Sequence, residues 1–113
     1  MNYWIVPSVL KQHLTKNERE QLANEIIDTV TQYYQVSIKD IKGKSRKRRI
    51  VKPRQVTIYL LRTKARMILS DIGEVMNRDH TTIIHSVKCI ENDLSHPYDD
   101  TLEKDLMNIN ILL

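Results

Sequence analysis

The residues with chemistry to offer crowd into two stretches. One runs Asp79-His80-Thr81-Thr82 and continues through His85, Lys88 and Cys89. Its carboxylate, imidazoles, hydroxyls, ammonium and thiol suggest metal binding, catalysis or recognition of polar edges. His85 and Cys89 are four apart and could ligate a metal, but two ligands with no third in register are too few. Asp79 and His80 are adjacent, so on a helix they point about 100° apart, which suits an acid–base pair poorly. No Ser, Cys or Lys nucleophile is paired with a base by spacing. No G-x-x-x-x-G-K-[ST] phosphate loop is present, so ATP hydrolysis by this chain is not expected. The chain reads as no enzyme, with no cofactor. Recognition remains: a carboxylate accepts from cytosine or adenine amino groups, imidazole and hydroxyl donate or accept, and a Thr methyl meets the thymine methyl. Thr81 and Thr82 keep a second reading as alternative helix caps.

The other stretch is basic. The 113-residue chain has a net charge of +4, yet Lys42 to Arg66 holds eleven basic residues and no acidic one. Elsewhere seven basic residues face all fourteen acidic ones, so the molecule is electrically lopsided. A solvated charge run is the plainer reading. A nucleic acid is the leading partner, because a concentrated positive region suits an anionic polymer while an acidic remainder limits unspecific sticking. One Cys excludes an internal disulfide and the cysteine-rich zinc sites. No signal segment or apolar run near the ~20 residues of a membrane span appears. The expectation is one cytoplasmic domain with no membrane and no nucleotide partner.

Helices must position these residues. Residues 1–14 have no clear period and are expected to be a lead-in to a single domain over residues 15–113. Thr15-x-x-Glu18 is a capping box, and Leu22, Ile26, Ile27, Val30 and Tyr34 mark one face of a helix ending near Tyr34 or Gln35. Tyr33 and Tyr34 are expected in the core. Ser37-x-x-Asp40 opens a short turn that puts Ile38 and Ile41 inside and ends at Gly43. Lys44 to Lys52 reads as a basic loop, and Pro53 as the first residue of a helix running from Arg54 to Met67, with Arg62, Lys64 and Arg66 outward. Ser70 is expected to cap Asp71–Met76, where Gly73 is easiest to understand if another helix crosses closely. After Asn77 and Arg78, Asp79 caps a helix to Leu94. Its Ile83, Val87, Ile90 and Leu94 fall on one side, and Thr81, His85, Lys88 and Asn92 on the opposite side. Asp99 or Asp100 caps a last helix striped by Leu102, Leu106, Ile109 and Leu113. The fold class is all-α, with five or six helices and a helix-turn-helix that offers its second helix to a major groove.

Arg78-Asp79-His80-Thr81-Thr82-Ile83-Ile84-His85 resembles the signature of the DNA-binding C-terminal domain of the bacterial replication initiator DnaA, whose fold is also Trp-repressor-like. Tyr33-Tyr34 followed by Asp40, Lys52-Pro53-Arg54-Gln55 and Asp71-Ile72-Gly73 keep the family's order, so the resemblance covers about residues 20 to 95. It implies binding to the double-stranded DnaA box through two grooves. Asp79, His80 and Thr81 would read major-groove edges, and Thr82 a thymine methyl or the backbone. Leu69 would make an apolar contact. Arg46 would enter the minor groove. Arg48, Arg54, Gln55, Arg62 and His85 would hold phosphates, with Lys88 beside them. The chain departs from the family in having Asn77 alone for the usual Gly-Gly, Leu69-Ser70 for Leu-Pro, and no ATPase domain. Met1 and a leader that the family lacks suggest a free-standing short protein, nucleoid-associated, of bacterial, phage or plasmid origin. The alternative is a protein-interaction module for replication or transcription proteins, replication initiation proteins among them, with secondary DNA binding.

Overall fold

The computed structural model describes residues 14–113, so the expected lead-in lies almost wholly outside the described residues. Six helices and no strand occur among them: α1 (Lys16–Tyr34), α2 (Ile38–Lys42), α3 (Arg48–Thr63), α4 (Leu69–Met76), α5 (His80–Ser95) and α6 (Thr101–Leu112). The all-α expectation therefore holds.

α1 starts where its sequence says. Thr15 Oγ1 accepts from the Glu18 N–H at 3.1 Å, and Glu18 Oε1 accepts from the Thr15 N–H at 3.2 Å, a reciprocal capping box. Ile26, Ile27 and Val30 are buried on its inner face. It ends at Gln35 in the left-handed conformation.

α3 is the central helix, and α1, α2, α4 and α5 all pack on it. Its boundaries are corrected at both ends. It begins at Arg48, which leaves only the residues between Gly43 and Arg48 as loop, and Pro53 sits inside the helix rather than at its start. The first turn survives because the amides of Ile50 and Val51 both donate to the Lys47 carbonyl, at 2.8 and 2.9 Å, and because Ile50 is buried. Pro53 removes a single donor near that end, where a helix tolerates it best. At the far end the helix stops at Thr63, four residues short of Met67. Arg66 takes a positive φ of 56°, and the chain turns back with the Met67 amide on the Leu61 carbonyl. Val56, Ile58, Leu60 and Leu61 are buried, as the all-round apolar pattern requires.

α2 differs in one residue: Ile41 is fully buried, but Ile38 is 41% exposed and does not face in. α4 starts at Leu69, capped by the Ile68 backbone, and Ser70 is no cap but the second helical residue. α6 is stapled to α1 by polar contacts. Tyr33 and Tyr34, ring to ring at 5.1 Å and edge-on, both donate to the Asp105 carboxylate at 2.8 Å. Burial and this carboxylate push the Tyr34 hydroxyl well above its ordinary pKa, so it stays a donor. Asp100 is the N-cap residue of α6, but it is Asp99 whose carboxylate accepts from the Thr101 N–H, at 2.9 Å. No helix among the described residues is long and apolar enough to cross a membrane.

Candidate nucleic-acid interface

α4 and α5 form a helix-turn-helix with a two-residue turn. Asn77, at φ 56°, ends α4 in the left-handed conformation, and the Arg78 amide reaches back to the Gly73 carbonyl at 2.9 Å. Asn is among the few non-glycine residues that enter this conformation at small strain. Gly73 has a different reason to be glycine than a crossing helix. A Cβ there would lie 2.6 Å from the carbonyl oxygen of Arg78, so the turn's own backbone fills the space.

The turn sets down Asp79 as the N-cap of α5. Its Oδ1 accepts from the Thr82 N–H at 2.8 Å, and these bonds hold the carboxyl below its ordinary pKa. One carboxylate oxygen is thus committed to the cap, and the other projects into solvent as an anionic acceptor. α5 then buries Ile83, Ser86 and Ile90 against the core and leaves His80, Thr81, Thr82, His85, Lys88 and Asn92 exposed. Ile83 is inaccessible and anchors the helix just one turn from its exposed end. His85 Nε2 lies 3.4 Å from Cys89 Sγ, the pair that the spacing singled out, and no group of three metal-ligating side chains occurs among the described residues.

The basic loop starts where α2 ends. A five-residue helix leaves its last carbonyls without amide partners, and arginines from elsewhere take them. Arg54 is 7% exposed. Its Nε donates to Ile41 O at 2.7 Å, Nη1 to Ser45 O at 2.8 Å, and Nη2 to Asp40 O at 3.0 Å. Arg78 donates from Nη1 to Lys42 O at 3.3 Å and Met76 O at 2.9 Å, and from Nη2 to Gly43 O. Burial lowers the pKa of both guanidiniums, and for Arg54 the neighbouring Arg78 charge adds to it. Arg54 is therefore corrected. Its three nitrogens are spent on carbonyls inside the protein, so it is no surface group for a phosphate. The signal missed was the pairing of arginines with a very short helix. Arg78 was noticed as part of the signature but given no task.

Beyond this root the side chains are open. Ser45 Oγ accepts from the Lys47 N–H at 3.2 Å and shapes the loop, and Arg46, Lys47, Arg48 and Arg49 are exposed. α3 begins with no side-chain cap and no acid in its first turn. Cations at a helix N-terminus oppose the helix dipole and weaken the helix. Gln55 and Leu69 are half-buried, and Arg62 is exposed with one Nη1 bond to Met67 O at 2.9 Å. Through Arg78, the root of the loop and the start of α5 share one structural unit.

Known proteins with the same pattern were found by comparison. The family described as bacterial dnaA protein helix-turn-helix matches residues 23–90. Chromosomal replication initiator protein DnaA of Thermomicrobium roseum is 38% identical over 97 residues, covering 84% of this chain and 20% of that protein. DnaA of Chromobacterium violaceum is 33% identical over 105 residues, covering 87% and 22%. DnaA of Levilactobacillus brevis is 45% identical over 82 residues, covering 72% and 18%. The chain spans about a fifth of the length of these relatives. The match takes in α3, the helix-turn-helix and the Arg78–His85 signature together, and with the all-α architecture it shows that the chain belongs to the bacterial DnaA helix-turn-helix family.

Proposed function

We propose that this chain binds double-stranded DNA in a sequence-specific manner, at DnaA-box-like sites, in the control of replication or transcription. The observation that carries the reading is the placement of α5's exposed polar face and the exposed basic loop on one unit, joined by Arg78 to Lys42 and Gly43. In this reading α5 enters the major groove. The free oxygen of Asp79, with His80 and Thr81, meets base edges, and Thr82 and Leu69 add apolar contact. Arg46 projects into the minor groove, where negative potential attracts it. Arg48, Gln55, Arg62, His85 and Lys88 hold phosphates. The uncapped, cation-bearing start of α3 supports this assignment: its geometry is a liability in the free protein and an asset beside an anion. The role asks for no cofactor, nucleotide or catalytic step of this chain.

Titrating a DnaA-box duplex against a scrambled duplex tests the proposal. The box should bind more tightly, and log affinity should fall with log salt at a slope of roughly −4 to −7 if about five to eight phosphates are neutralised. Equal affinity for the two duplexes would overturn the specificity. Absence of duplex binding at low salt, with capture of a replication protein, would favour the protein-interaction alternative.

A further inference from the structure

We propose that Arg78, with Arg54 behind it, is a positioning residue that fixes the spacing between the basic loop and α5, and so makes the two grooves readable at once. The inference rests on the DNA-binding reading, but the clamp has its own evidence. Between Asp40 and Ser45, five carbonyls, those of Asp40, Ile41, Lys42, Gly43 and Ser45, are taken by these two guanidiniums. Arg54 comes from α3 and Arg78 from the turn of the helix-turn-helix. Arg78 Nη1 also donates to Met76 O, so one side chain bridges the end of α4 to the end of α2. Without it, the loop would be tied to α3 alone, and its register against α5 would be free to vary. The guanidinium fork is what the task needs: one planar group meets three carbonyls that diverge in direction, which a single ammonium cannot do. The arrangement leaves Arg78 no fork free for a phosphate or a base. Its place beside Asp79 in the signature is then structural, one step removed from the contact.

Two readouts on the full chain test this. First, spin labels at Lys44→Cys and Glu91→Cys, in a Cys89→Ser background, report the loop-to-α5 distance without DNA. The distribution should be narrow with Arg78, and broaden in Arg78→Ala and in Arg78→Lys alike. An unchanged distribution in Arg78→Ala overturns the clamp, and full restoration by Arg78→Lys overturns the fork. Second, the bound duplex is scanned one base pair at a time. Arg78→Ala should lose discrimination, by roughly tenfold, at the same base pairs as Arg46→Ala, and the double variant should lose little more. The base pairs that respond to His80→Ala should keep their preference. An even loss at every base pair in a folded Arg78→Ala protein would overturn positioning. A wild-type protein with no base preference, but with the broadened distance in Arg78→Ala, would remove the DNA-reading proposal and leave the clamp standing.

Discussion

α5 and the basic loop are held in place by opposite means. α5 is a stiff element with Ile83 and Ile90 driven into the core, and its exposed face follows from where the apolar face goes. The loop has no apolar anchor of its own before Ile50. Its root is fixed by hydrogen bonds from Arg54 and Arg78 to backbone carbonyls. The contrast divides the arginines of one dense basic segment and its neighbour into two kinds. Arg54 and Arg78 are building material, while Arg46, Arg48 and Arg49 are surface charge. Counting basic residues overstates the binding surface, because charge on a side chain says nothing of where its nitrogens are spent.

The largest expected effect falls on the apolar side of the comparison. Ile83→Ala should lose about 2–5 kcal/mol of stability in denaturant unfolding, since it empties a fully buried site under the exposed start of α5. On the polar side, Arg54→Ala leaves buried carbonyls unpaired and should cost about 1–3 kcal/mol. Arg48→Ala, at the exposed start of α3, should change stability by no more than about 0.5 kcal/mol. Its effect belongs to binding: it should weaken every duplex alike and reduce the salt slope by about 1, whereas His80→Ala should cost about 1–3 kcal/mol on the preferred duplex and blur base preference. If Arg54→Ala were as mild as Arg48→Ala, the division would collapse. The smallest effect is a pH dependence. The Asp79 carboxyl is held below its ordinary value by the cap bonds, so its contribution is full above about pH 4 and lost as pH falls through the depressed folded value. The melting-temperature difference between wild type and Asp79→Ala should therefore be full at neutral pH and close in acid.

Periodicity and cap chemistry made most of the helices legible. The capping box at Thr15, the stop at Gln35, Asp79 as an N-cap and the two faces of α5 all rest on interactions within one helix, where spacing carries the information. The errors have a common source in interactions between distant segments. Pro53 looked like a first residue because nothing local shows that Ile50 is buried and pins an earlier turn. The stop at Thr63 depends on a left-handed Arg66, a residue type with no preference for that conformation. Ser70 had the chemistry of a cap, but α4 had already begun at Leu69. Arg54 matched a phosphate position by motif, and only the carbonyls of Asp40, Ile41 and Ser45 reveal its use. Gly73 was singled out correctly for a close approach, yet the approaching atom belongs to its own turn.

Selection of bound duplexes from a random pool most directly tests whether the α5 face and the loop together read DNA. The account predicts one enriched motif with two adjoining parts: a segment with unique bases, which His80→Ala degrades, beside a segment restricted only to A·T pairs, which Arg46→Ala degrades. A pool that emerges with no enriched sequence, or a motif that neither substitution alters, would contradict it.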